Sequence, residues 1–277
     1  MNINKIEFSV LMSVYHKENP QFLKESIESV TENQTVKPTE LILIQDGPLT
    51  EELYQIIFEF ESRLPYFKTY ALEQNVGLGK ALEYGVKKCS YEWIARMDTD
   101  DIAVRTRFEE QLDFIINNPE IDILGSNIAE FDNNILETKS LKVMPEKHDD
   151  ILKMSKRRNP MCHMTVMYKK SSVLAAGGYQ DLPFVEDYFL WVRMLNSGAR
   201  FANLNKVLVY ARVGNGMYAR RGNKKQIVSW KKLNIFMVDN KMITPVDYLI
   251  NMSLIRAFLF IPTNLKEFTY NKILRKS

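Results

Sequence analysis

The sequence predicts an α/β fold: a mostly parallel sheet with helices on both faces, followed by a helical C-terminal extension. Three observations carry this. Short apolar runs alternate with helix-spaced segments over the first hundred residues. The runs are nearly continuous in hydrophobicity, as strands covered on both faces are. Polar or acidic residues follow each of the first four runs, at the strand ends where such sheets bind ligands.

Residues 7–15 (EFSVLMSVY) are rich in Val and Leu and read as the first buried strand. Asn19-Pro20 interrupts it, and residues 22–33 then place Phe22, Leu23, Ile27 and Val30 at helical spacing. Residues 40–45 (ELILIQ) form a second strand ending in the turn signal Asp46-Gly47-Pro48. Thr50, with Glu51 and Glu52 behind it, starts a helix that runs to about residue 62. Residues 67–73 read as a third strand and 77–88 as a third helix. Residues 91–97 (YEWIARM) are a fourth strand running into Asp98-Thr99-Asp100-Asp101. Beyond it, 105–117 reads as a helix, 121–129 as a strand, 136–150 as a polar loop, and 162–169 (CHMTVMYK) as an alternating strand. Residues 184–191 (FVEDYFLW) lead into a helix, 207–212 is a late strand, and from Gln226 the chain reads as helical. The expected division is a site-bearing domain over 1–222 and a basic helical extension over 223–277.

Composition narrows the class. The 277 residues are 45% hydrophobic and 26% charged, which excludes a disordered or collagen-like chain. No run of about 18 uncharged apolar residues occurs, so no transmembrane helix is expected. MNINKIEFSV has no apolar stretch behind a charged start, so no signal peptide is expected. Cys89 and Cys162 offer neither a disulfide framework nor metal spacing, and a cytoplasmic location is the expectation. The net charge of +3 hides a split. From residue 201 onward 14 Lys+Arg face 3 Asp+Glu, whereas the first 200 residues hold 23 basic and 31 acidic groups. A basic end suits a polyanion: nucleic acid, an anionic membrane or a diphosphate. The carboxylates clustered far from that end argue against nucleic acid.

Those carboxylates carry the chemistry. Asp98, Asp100 and Asp101 repel one another unless a cation sits among them. Their oxygens suit Mg²⁺ or Mn²⁺, which take one or two carboxylates plus phosphate oxygens; a solvated helix start is the alternative. Asp46 reads either as a strand-end site residue or as a turn former. Glu186-Asp187 stands at a helix start, where a carboxylate can cap and still act as a base. His163, Trp191 and Met194 read as core, and Lys156-Arg157-Arg158 as a solvated face.

SVLMSVY, LILIQDG, Asn75-Val76-Gly77-Leu78-Gly79-Lys80-Ala81, Asp98-Thr99-Asp100-Asp101 and Glu186-Asp187-Tyr188-Phe189-Leu190-Trp191 together resemble the family 2 glycosyltransferases, over about residues 6–212. ARMDTDD, RNPMCHMTVM and EDYFLWVRML are similar to the branch that builds bacterial exopolysaccharides, with amylovoran-type, capsular and O-antigen enzymes. The resemblance implies a GT-A (Rossmann-like) fold. It implies an inverting, metal-dependent transferase that moves a sugar from a nucleotide-sugar, UDP-linked, to a saccharide on a lipid carrier. Tyr15 and Asp46 would then hold the nucleobase, and Asn75, Gly77 and Lys80 would line the donor pocket. Asp98 and Asp100 would contact the ribose and the Mn²⁺- or Mg²⁺-bound diphosphate, with Asp101 sharing the metal. Asp187 would be the base and Glu186 the second candidate. Relatives follow the late strand with an Arg-x-His pattern whose His touches the metal. Arg212-Val213-Gly214 lacks that His, so Arg212, Arg220 or Arg221 is expected at the diphosphate. A nucleotidyltransferase is a rival, but it would carry a Gly-rich phosphate loop where SVYHKENP stands. A catalytically inactive sugar-nucleotide-binding module is another. The basic extension, with MSLIRAFLFIP at 252–262, reads either as helix packed on the core, expected for 226–250, or as a membrane-surface helix, expected for 251–277, which would place the enzyme peripherally on the inner face of the cytoplasmic membrane.

Overall fold

Four parallel strands form one half of the sheet. They are β1 (Phe8–Val14), β2 (Glu40–Gln45), β3 (Phe67–Ala71) and β4 (Trp93–Arg96), in the spatial order β3-β2-β1-β4. The computed structural model describes residues 6–213 and 224–260. The crossovers between these strands are α1 (Pro20–Val30), α2 (Glu51–Arg63) and α3 (Leu78–Lys88). The side chains of β1 and β2 divide with a period of two. Val10, Met12, Leu41 and Leu43 pack in one core cluster with α1 and α2, whereas Leu11, Ile42 and Ile44 pack in another with α3. Burial on both faces explains why these strands read as unbroken apolar runs.

The helix starts follow from single side chains. Asn19 accepts hydrogen bonds from the N–H of Gln21 and Phe22 while Pro20 occupies the first turn of α1. Thr50 accepts from the N–H of Leu53 at 3.4 Å, as its place before Glu51-Glu52 predicts. Gly47 has a φ of 85°, and a Cβ there would stand 2.5 Å from the backbone nitrogen of Asn75. Only glycine lets the β2 and β3 loops approach this closely.

The second half of the sheet mixes directions. β8 (Met167–Lys169) lies antiparallel to β4 and to β6 (Ile123–Phe131), and β9 (Phe201–Arg212) runs parallel to β6. β5 (Ile102–Ala103) pairs with β9 and β7 (Ser140–Lys142) with β6, both antiparallel. α4 (Arg107–Asn117), α5 (His148–Met154), α6 (Lys170–Ala175) and α7 (Glu186–Asn196) complete this half. Three expectations change. The strand expected over 162–169 is shortened to β8, because His163–Thr165 form a 3₁₀ turn in which the Thr165 hydroxyl donates to the Cys162 carbonyl. The polar stretch 136–150 contains β7 and the start of α5. β9 starts at Phe201, six residues early, because its pairing with β6 outweighs the polar pattern of FANLNK.

The extension is not a detached tail over its described part. α8 (Lys224–Asp239) and α9 (Pro245–Phe260) form a hairpin, and Leu233, Met237 and Ile243 pack against Val185, Tyr188, Phe189 and Val192 around α7. The opposite face of α7 buries Trp191 and Met194 against the sheet, the core role expected of them. Replacing Gly47 by Ala should lower stability by about 1–3 kcal/mol in urea unfolding, from a left-handed backbone and a backbone clash together. An unchanged midpoint would show that the two loops do not depend on their close approach.

Candidate active site

The parallel order of β1 to β4 brings four loops to one edge. Tyr15, half-buried, meets His16 edge-to-face there. Asp46 is buried. Its Oδ1 accepts from the N–H of Val76 at 2.7 Å and its Oδ2 from the N–H of Gly77 at 3.1 Å, while Asn75 Nδ2 donates to the Asp46 carbonyl at 3.2 Å. One carboxylate thus sets the loop that starts α3. Gly77, with a φ of 88°, caps that helix without a side chain, and Lys80 in the first turn is exposed and pairs with Asp181 at 2.9 Å.

The acidic loop is braced by arginines. Asp98 pairs with Arg96, whose side chain is fully buried and reaches it from inside the sheet. The hydroxyl of Thr99 donates to Glu18. Asp101 is buried; its Oδ1 accepts from the backbone N–H of Arg212 at 2.8 Å, and its Oδ2 has no partner among the described residues. Burial first, then the charges of Asp98 and Glu18, push Asp100 up to about 7. Burial, then Asp100 and Asp98, hold Asp101 well above the usual carboxylate range. The guanidinium of Arg212 donates to the Asp100 carbonyl at 3.0 Å and to Glu25 at 2.8 Å, between the rings of Phe22 and Phe131. In this arrangement Arg212 holds the acidic loop, and a contact with diphosphate would require those bonds to open. Arg220 and Arg221 lie outside the described residues.

These carboxylates fit a divalent cation. Burial, then the charges of their neighbours, has raised two of them, and a buried oxygen of Asp101 has no partner among the described residues. Among the described residues no three His, Cys, Asp or Glu side chains are arranged to hold an ion by themselves. The fit is therefore to an ion shared with phosphate oxygens, the usual habit of Mg²⁺.

The second pair stands opposite. Phe184 takes a φ of 72°, unusual for a bulky residue, and the chain turns there into α7 with Glu186 and Asp187 in its first turn. Asp187 accepts from Asn159 Nδ2 at 2.6 Å. Burial raises its carboxyl, an effect opposed by the N–H of Tyr188, Asn159 and the charge of Lys142. Burial and Asp187 push Glu186 up to about 7, and its Oε2 has no partner among the described residues. The charge of Asp98 raises both. Two motifs 88 residues apart at Asp98 and Glu186 therefore share one electrostatic field. α3 and α7 also start side by side: a Cβ at Gly79 would lie 3.3 Å from Glu186 Cβ.

Sequence reasoning missed Arg96, Asn159, Lys142 and Glu18. A charge inside the apolar run YEWIARM was the one available signal, for Arg96. His163 is a packing residue, as expected, with its Nε2 2.8 Å from the Tyr179 hydroxyl and its ring against Trp191.

The sequence profile of Glycosyl transferase family 2 matches residues 9–173. The chain belongs to that family. It is a glycosyltransferase with a GT-A fold. An uncharacterized glycosyltransferase of Haemophilus influenzae is 43% identical over 98% of this chain and 100% of its own. The UDP-Gal:alpha-D-GlcNAc-diphosphoundecaprenol beta-1,3-galactosyltransferase of Escherichia coli is 37% identical over 98% of this chain and 97% of its own. The amylovoran biosynthesis glycosyltransferase AmsE of Erwinia amylovora is 35% identical over 96% and 98%. Among solved structures, S. aureus TarS 1-349 in complex with UDP-GlcNAc matches with a TM-score of 0.69 at 18% identity, over 97% of this chain and 76% of that one. The mannosyltransferase PcManGT from Pyrobaculum calidifontis, in complex with GDP-Man and Mn²⁺, matches with 0.63 at 12% identity, over 96% and 74%. Likeness at such identities speaks to the fold.

The site costs the empty glycosyltransferase stability. Folded Asp100 keeps its proton to about pH 7, whereas its ordinary value is 3.8. Between those two values the folded state holds more protons, so this group's contribution falls as pH rises from 3.8 to about 7 and is flat above it. His163, held neutral by burial, works in the opposite direction below 6.5, so the comparison must be between variants. Asp100→Asn should melt higher than wild type at pH 8 without ligand, with the gap clearly narrower at pH 5. Parallel melting curves at both pH values would refute an uncompensated charge at Asp100.

Proposed function

We propose that the protein transfers a sugar from a UDP-sugar to a saccharide on a lipid diphosphate carrier, with inversion and with a divalent cation, during assembly of bacterial surface polysaccharide at the inner face of the cytoplasmic membrane. The observation that carries this reading is that α3, which follows the Asn75–Gly77 loop, starts against the first turn of α7 with Glu186 and Asp187, a Cβ at Gly79 lying 3.3 Å from Glu186 Cβ. A leaving-group side and a base side at one sheet edge are what a single displacement needs. The printed names of the relatives support the substrates. The E. coli enzyme's names a UDP-sugar and a diphosphoundecaprenol acceptor, AmsE's names amylovoran, and TarS was solved with UDP-GlcNAc.

Asp98 and Asp100, with Asp101 behind them, would hold Mn²⁺ or Mg²⁺, and the ion's chemistry is to neutralise charge on the departing diphosphate. Tyr15, Asp46, Asn75 and Gly77 would hold the nucleoside, and Lys80, in the first turn of α3 and paired with Asp181, would turn to the diphosphate. Asp187 takes the proton of the acceptor hydroxyl as that oxygen attacks the anomeric carbon from the face opposite the diphosphate. The new glycosidic bond forms as the bond to the diphosphate oxygen breaks, so the configuration inverts. A carboxyl raised above its ordinary value is a stronger base once ionised, and Asn159 fixes its orientation.

Calorimetry should find UDP binding that needs Mn²⁺ and is stronger than GDP binding. Equal affinity in Mn²⁺ and in EDTA would sink the metal role. Asp187→Asn should keep UDP affinity and lose about 10²–10⁴-fold in turnover. If that variant stays active while Glu186→Gln is dead, the base is Glu186.

A further inference from the structure

We propose that the outer face of the α8–α9 hairpin is a docking surface for an anionic lipid bilayer. The inference deepens the reading above by assigning a partner surface to an enzyme whose acceptor rides on lipid. The observation is a helix that is apolar on two sides. α9 turns Met252 inward, yet Val246, Leu249, Ile250 and Leu254 are 64, 63, 43 and 61% exposed. Their spacing of i, i+3, i+4 and i+8 puts them on one stripe. α8 adds exposed Val228 and Ile235, and a shallow apolar cleft lies between the helices against Val238, Pro245 and Tyr248. A contiguous apolar patch of this kind marks a surface that is covered in use.

Charge selects the occupant. Lys231, Lys232, Lys241 and Arg256 are exposed on the same hairpin. Of its two acids, Asp239 is exposed, while Asp247 is turned to Arg157 and to the start of α9 at Thr244. Apolar side chains ringed by lysine and arginine fit an anionic headgroup layer, where each basic group adds attraction and the apolar stripe inserts. Among the described residues no helix is long and apolar enough to cross a membrane, so the hairpin lies on the surface. The first 200 residues, with 31 acidic against 23 basic groups, would be repelled by the same surface.

The buried side of α9 ties this surface to the site. Asp247 and Asn251 hold Arg157, and Asn251 also donates to the Lys156 carbonyl. Two residues further along the same loop, Asn159 donates to Asp187. A bilayer seated on α9 therefore rests on the segment that orients the proposed base.

Vesicle flotation of the full chain tests the proposal. Wild type should float with phosphatidylglycerol-containing vesicles at low salt, release at high salt, and ignore pure phosphatidylcholine. Leu249→Glu with Leu254→Glu should cut partitioning about tenfold or more, and Lys231→Glu with Lys232→Glu about tenfold. Both pairs should keep wild-type transfer to a water-soluble acceptor, which also shows that they fold. No flotation of wild type, flotation of the variants equal to wild type, or a dimer in light scattering that the leucine variants split would each overturn the docking surface. Flotation without transfer to any saccharide diphospholipid would support docking and overturn the acceptor proposed above.

Discussion

Five carboxylates at one sheet edge are placed closer together than their charges favour, and the architecture around them exists to bear that repulsion. Burial first, then the charges of their acidic neighbours, raises Asp100, Asp101, Glu186 and Asp187, and the charge of Asp98 acts on all four. Two arginines oppose them at different depths. Arg96 comes from within the sheet and meets Asp98; Arg212 comes from the end of β9, its guanidinium on the Asp100 carbonyl and its backbone N–H on the Asp101 carboxylate. Neither neutralises Asp100. The residual negative charge suits the edge to a cation, through which the proposed diphosphate would bind, and without one it lowers stability.

The change of direction at β8 does the geometric work. Parallel strands with helical crossovers deliver four loops to one edge but leave the floor open on the β4 side. The antiparallel β8 and the parallel β6–β9 pair extend the sheet past β4, and α7 packs over that extension with its first turn beside α3. The acidic loop is thus built by the first hundred residues and the Glu186-Asp187 turn, the proposed base side, by the second. The α8–α9 hairpin then covers the outer face of α7.

The first half was legible because its strands are covered on both faces and read as apolar runs, and because caps such as Thr50 mark helix starts with single residues. The acidic cluster and the Glu-Asp pair were legible as motifs. What escaped was short or buried. β5 and β7 span two and three residues, too few for any periodicity, and α6 spans six. Arg96 was hidden because a strand pattern gives no account of what a buried cation pairs with. Asn159 was hidden because its partner lies 28 residues away and is reached only through the packing of α7. Packing of residues 226–250 on the core was legible, but not the face of α9 that meets the protein, because that helix is apolar on both sides.

Asp46 has a consequence for how such enzymes diversify. Its two oxygens already hold the backbone of Val76 and Gly77, so the residue expected to read the nucleobase also builds the loop on which the donor rests. A substitution there would remove the two bonds that set the Val76–Gly77 backbone, so recognition of a base and the shape of the loop could not be altered independently at this position.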